Sequence, residues 1–195
     1  MKNIKKTLAL LAAFTAAGAS AMEQQNYTIE QYNPERDRPE VEQILRNNWS
    51  SQVWGDQGKQ FDQKLSDALL DVSYPGKSID LARSTRGPKG SDILGYITYV
   101  SFDGDPTSND SDVRTRRGYI ELLTSKDLTP TPQRAALEQA LRIQAIEKMK
   151  AKNPEKIEEF IFKNDDFSIN LLKQLGFQQV KEGNFARKFE LQLKK

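Results

Sequence analysis

The chain contains no cysteine and no histidine. That removes a thiol nucleophile, a disulfide framework, a Ser-His pair and any zinc site built on imidazole or thiolate. Chemistry, if present, falls to carboxylates, tyrosine, lysine, arginine, hydroxyls and backbone groups. Long apolar runs are also scarce. The one extended apolar segment, Thr7 to Ala19, is short and alanine-rich for a membrane span, which leaves an uncleaved anchor as the lesser alternative. The loop holding Asp103-Gly104-Asp105, Asn109, Asp110 and Asp112 is rich in oxygen, but it lacks the glycine and terminal glutamate of an EF-hand loop, and no metal site is assigned.

That apolar segment has a different reading. Lys2, Lys5 and Lys6 precede it and Ala19-Ser20-Ala21 follows it, the charge, core and small-residue cleavage pattern of a secretory signal. The expectation is a signal peptide over residues 1–21 and a single domain over 22–195, long enough for one full core. The protein is therefore expected to be exported, periplasmic or secreted, and to meet a membrane only during export. Loss of the leader removes three lysines and no acid, so the formal charge of +2 becomes slightly negative. A near-neutral chain offers no electrostatic ground for binding nucleic acid, and Arg114, Arg116 and Arg117 read as the solvated start of a strand.

Periodicity gives the elements. Tyr27 to Tyr32 alternates as a strand, ended by Asn33-Pro34. Val41, Ile44, Leu45 and Trp49 recur at helical spacing, with Asp37 as the expected cap and Pro39 early in the helix. Phe61, Leu65, Ala68 and Leu69 predict a second helix, closed at Tyr74-Pro75-Gly76. Ile79 to Arg83 and Ile93 to Phe102 read as a hairpin around Gly87 to Gly90, and Tyr119 to Leu123 as a fourth strand. A long helix opens at Thr131-Pro132, with Leu137, Leu141, Ile143, Ile146 and Met149 as its buried stripe. Gln178 to Val180 and Phe185 to Leu193 close the sheet.

The stretch from Lys156 to Phe177 carries the most information. Ile157, Phe160, Ile161 and Phe162 form a strand-length apolar run, and Asn164 or Asp165 can cap the helix that follows. Phe167, Leu171 and Leu175 share one face of that helix, and Gly176 suits a left-handed C-terminal cap before Phe177. This stretch resembles the closing motif of the GNAT superfamily of N-acetyltransferases, an Asn after the fifth strand and then a helix ending in Leu-Gly-Phe; Asn164 and Leu175-Gly176-Phe177 match. The whole element order is similar to that family's. The resemblance, spanning Tyr27 to Lys194, implies an α/β (α+β) fold: a central mixed, mostly antiparallel GNAT-like sheet flanked by helices.

The resemblance also implies a function: transfer of an acetyl group from acetyl-CoA to the primary amine of a small-molecule or peptide acceptor by direct attack. In the family, the fourth strand's backbone pairs with the pantetheine arm as though the cofactor were an added strand. Ile120 to Ser125 occupy that place, which makes Leu122, Leu123 and Thr124 candidate cofactor contacts. Glu121 matches the position of the family's general base. Asn164, and Arg134, Ala135 and Ala136 at the start of the long helix, complete the expected cofactor set.

Two departures stand beside these matches. The family's pyrophosphate cradle has Arg or Gln, two residues, then Gly-x-Gly or Gly-x-Ala; here Thr131 takes the first place and Arg134 the first glycine, while Ala136 keeps the last. A helix start still attracts an anion, and Arg134 can add charge. The family's proton-donating Tyr is replaced by Leu172, expected at the margin of the apolar stripe and open to enlargement; either the thiolate leaves unassisted or another phenol, such as Tyr96, Tyr99 or Tyr119, reaches the site. These departures support an alternative, a catalytically degenerate GNAT-like binding protein of the envelope or exterior.

Overall fold

The computed structural model describes residues 26–52, 63–86, 92–105, 107–110, 114–124 and 132–193. The expected leader, the turn 87–90, Ser125, Thr131, Trp54 and the side chain of Trp49 lie outside the described residues. The elements are β1 (Tyr27–Gln31), α1 (Pro34–Gln52), α2 (Gln63–Leu70), β2 (Lys77–Ser84), β3 (Ile93–Phe102), β4 (Arg117–Thr124), α3 (Pro132–Lys150), β5 (Lys156–Phe162), α4 (Asp166–Gln174), β6 (Gln178–Glu182) and β7 (Ala186–Gln192). This is the order expected from periodicity. One sheet of seven strands runs β1-β2-β3-β4-β5-β7-β6. Among the described residues its one parallel pair is β4 with β5, where α3 makes the crossover that parallel strands need.

Local signals explain most boundaries, with corrections. Asn33, not Asp37, starts α1: its side-chain oxygen accepts from the Glu35 N–H at 3.0 Å, and Pro34 takes the first helical position. Asp37 answers from inside the first turn by accepting from the Asn33 N–H at 2.8 Å, a reciprocal cap. In α2, Ser66 and Leu70 are buried and Ala68 is exposed, so the inward stripe is rotated from the expected one. α4 starts on Asp165, which accepts from the Ser168 N–H at 3.0 Å. It ends in a Schellman pair, Phe177 N–H to Leu172 carbonyl and Gly176 N–H to Lys173 carbonyl, and a φ of +91° at Gly176 makes glycine the unstrained residue there.

Two apolar clusters cover the two sheet faces. On one, Val41 and Ile44 of α1 and Leu70 of α2 meet Ile79, Leu81 and Tyr96. On the other, Leu137, Leu141, Ala145, Ile146 and Met149 of α3, with Ile169, Leu171 and Leu172 of α4, meet Ala82, Ile97, Tyr99, Ile120 and Phe189. Alternation along the strands sorts the side chains. Gly118 faces α3 closely: a Cβ there would lie 2.6 Å from the Met149 sulfur. Ile143 stands at the edge of α3's stripe, and Glu138 and Arg142 lie inside it.

Candidate active site

The feature that defines a site is where β4 and β5 part. Their parallel register runs from Arg117 with Lys156 to Ile120 with Glu159 and stops. β4 continues to Thr124, still paired to β3, and β5 continues to Phe162, paired to β7. A fork therefore opens in the middle of the sheet, and along Glu121 to Thr124 the edge of β4 that faces β5 has no strand partner among the described residues. Such an edge can accept an extended polar chain as an added strand. Part of it is already spoken for, because Asn48 of α1 donates to the Thr124 carbonyl at 3.0 Å.

The expected site residues divide across this fork. Ile120 and Leu122 face α3, while Glu121 stands on the α1 face between Tyr119 and Leu123. Glu121 is half-buried. Burial raises its carboxyl pKa above the ordinary range; Lys77 opposes the shift and Glu159 adds to it. A carboxylate moved toward neutrality is the kind that can take a proton from an ammonium group near physiological pH. Leu122 and Leu123 are half-buried and Thr124 is buried at the open edge.

The start of α3 is less like the family's cradle. The Arg134 Nε donates to Glu138 Oε1 at 2.8 Å, and its guanidinium carbon lies 5.3 Å from the centre of the Phe167 ring. Arg134 thus bridges α3 to the first turn of α4 beside the helix start. Ala135 is half-buried and Ala136 exposed, with the Ala136 carbonyl 3.5 Å from the Tyr27 hydroxyl. Asn164 is exposed in the turn between β5 and α4.

Leu172 is not where the sequence put it. It has 0% exposure in the core between α4 and the sheet, with Ile169 one turn earlier at 2%. The expected stripe through Phe167 was rotated: Phe167 is half-buried and directed at Arg134, as suits a residue whose side chain leans toward the helix N-terminus in the first turn. Leu172→Tyr therefore enlarges a filled core and buries a hydroxyl, and is expected to cost about 3 kcal/mol or more in urea unfolding. Unchanged stability would show a void beside Leu172.

Of the three phenols, Tyr99 lies on the α3 face, 3.4 Å from Asp80, and Tyr96 is buried beneath α1. Tyr96 and Tyr119 both stand on the Glu121 face, where the Glu121 charge acts on each; Tyr96 is sealed in the core at 3% exposure, and Tyr119 is the one beside the groove, its ring 6.1 Å from that of Phe160. Burial raises its pKa and keeps it protonated. Below the fork on this face, a cavity of about 700 Å³ runs over β5 toward β7, lined by Tyr119, Phe160, Phe102, Arg117, Lys181 and Phe185 among others. Periodicity missed this groove, because Phe160 reads as core from its apolar run and is 50% exposed. Among the described residues no helix is long and apolar enough to cross a membrane.

No protein-family model matches the sequence, and no curated protein is similar to it in sequence. Solved structures do resemble it. A GCN5-related N-acetyltransferase from Kribbella flavida is 12% identical with a TM-score of 0.64, covering 86% of this chain and 98% of its own. A GNAT superfamily phosphinothricin acetyltransferase from Sinorhizobium meliloti, solved in complex with acetyl-CoA, is 16% identical with a TM-score of 0.63, covering 87% and 89%. A ribosomal-protein-alanine N-acetyltransferase from Brucella melitensis is 13% identical with a TM-score of 0.61, covering 85% and 99%. The chain has the GNAT fold. At these identities the likeness speaks for the fold alone.

Proposed function

We propose that the protein is an N-acetyltransferase that moves an acetyl group from acetyl-CoA to a primary amine by direct attack. The observation that carries this reading is the fork between β4 and β5, with an unpartnered strand edge from Glu121 to Thr124 and a carboxylate of raised pKa beside it. The residues present fit the pantetheine arm through that edge, to which alternate residues of the stretch holding Leu122 and Leu123 turn their main-chain groups. They fit the pyrophosphate less fully, through the N–H groups of α3's start and Arg134, with Ala135, Ala136 and Asn164 around them. Acetyl-CoA would supply the acyl group already activated as a thioester. Glu121 then removes the proton that an ammonium acceptor must lose before its nitrogen can attack, and Tyr119 is the phenol placed to return a proton on the same face. The protein works outside the cytoplasm, on the strength of its N-terminal charge, apolar and Ala-x-Ala pattern.

A second reading, a GNAT-fold binding protein that no longer transfers acetyl groups, is favoured by one observation: α3's first turn has no glycine, and Arg134 is engaged by Glu138 and Phe167. The two part in one experiment on exported protein. Intact mass should give a chain beginning at Met22; calorimetry should then show acetyl-CoA binding, and amines should release CoA from it. Retention of Lys2 would reject export with cleavage. Binding of acetyl-CoA without release, or no binding at all, would give the case to the second reading.

A further inference from the structure

We infer that the open groove over β5 and β7 selects the acceptor, and that the acceptor combines an aryl or large alkyl group, a carboxylate and the reacting amine, the chemistry of an aromatic α-amino acid. This deepens the transferase reading and rests on it for the role of the amine. The groove lies on the same sheet face as Glu121, which stands two residues beyond Tyr119 and so roughly 7 Å farther along the strand. A cavity of about 700 Å³ suits a small molecule.

Its walls carry two kinds of recognition. Phe160 is 50% exposed and Phe185 78% exposed, both on the groove, and exposed aromatic side chains gathered at one opening mark a binding surface. Tyr119 against Phe160 and Phe102 beneath Arg117 extend the aromatic wall. The charged groups are unequal in sign. Glu158 and Glu190 are each bridged by Lys156 and Lys188, at 2.7 to 3.1 Å. Lys181 and Arg117 line the groove beyond those pairs, with Arg117 as far as 4.0 Å from Glu158. Among the residues that line the groove, the three cations Arg117, Lys181 and Lys188 stand against one carboxylate, Glu158, and this excess of positive charge attracts a carboxylate and repels a polycationic amine.

The test titrates the full protein by calorimetry with N-acetyl-L-phenylalanine, the acetylated form of such an acceptor, with N-acetylphenethylamine, which lacks the carboxylate, and with spermidine. The acid should bind, the neutral analogue at least tenfold more weakly, and spermidine not at all. Phe160→Ser and Lys181→Glu change exposed side chains and should each weaken the acid tenfold or more while circular dichroism stays unchanged. Preference for spermidine, or equal affinity in both variants, overturns the inference. A dimer in light scattering that dissociates in Phe185→Ser, with no probe bound, overturns it in favour of a second copy of this chain. Acetyl-CoA titrated in parallel separates the claims: acetyl-CoA binding without the probe ends this inference and spares the transferase reading, and the probe without acetyl-CoA ends the transferase reading and with it the role as acceptor, keeping only the ligand class of the groove.

Discussion

Glu121→Gln is expected to lower turnover of an amine acceptor by about a hundredfold or more and, at the same time, to raise the melting temperature at neutral and alkaline pH. Both effects have one cause. Burial raises the Glu121 pKa, the Glu159 charge adds to the rise, and Lys77 offsets part of it. The folded state therefore holds this proton to higher pH than the unfolded chain, whose Glu titrates near about 4.3. Stability from Glu121 is complete below that unfolded value and is lost as pH rises through the folded one. Glutamine keeps the shape and never ionises. The variant should gain on the wild type above the folded pKa and lose that advantage toward pH 4, a trade of stability for activity. Thermal scans at pH 4 and pH 8, beside a pH-rate profile, check this; a variant of full activity would place the base elsewhere, and a variant less stable at both pH values would make Glu121 structural.

The parts of the molecule that sequence made legible are those set by local chemistry. Strand alternation, the Asn33-Pro34 break, the Asp165 cap and the Gly176 stop each depend on a few neighbouring residues. What stayed hidden depends on which way an element is rotated against its neighbours. Periodicity places Leu172 at a margin because it takes Phe167 as core, yet Phe167 leans to Arg134 and the buried stripe of α4 centres on Ile169 and Leu172. Glu138 and Arg142 follow Leu137 and Leu141 by one residue each, and charged side chains at such positions normally reach solvent. Only a partner from β5, remote in sequence, explains their burial. The fork was legible only as an implication of the resemblance, because where the β4–β5 ladder stops is a property of two strands separated by a helix.

The largest loss of stability is expected from Arg142→Met. Arg142 is 1% exposed and lies between Glu138, at 0%, and Glu159, at 1%. Its Nη1 donates to Glu138 Oε2 at 2.9 Å, and its Nη2 and Nε both donate to Glu159 Oε1, at 2.8 and 3.1 Å. Glu138 also accepts from Arg134, and from the Ser168 hydroxyl at 3.3 Å, so one network ties α3, β5 and the start of α4. Removing Arg142 strands Glu159 in the interior, at a cost of about 3–5 kcal/mol. The loss depends on pH in a defined sense. Burial raises the Glu159 pKa even with Arg142 present, which pulls it down; without Arg142 it rises further. The variant's stability should recover as pH falls toward the unfolded value and decline as pH rises through the folded one. Urea unfolding at pH 4.5 and pH 8 reads this, and equal losses at both would show that packing, not charge, is what Arg142 supplies. Adding Glu159→Leu to Arg142→Met should restore much of the stability, since an apolar pair often replaces a buried ionic one without loss. Glu159 is also the last residue of β5 paired with β4. A restored fold with weakened acetyl-CoA binding would then assign the network to holding the fork open at its width, whereas restored binding would leave it a role in stability alone.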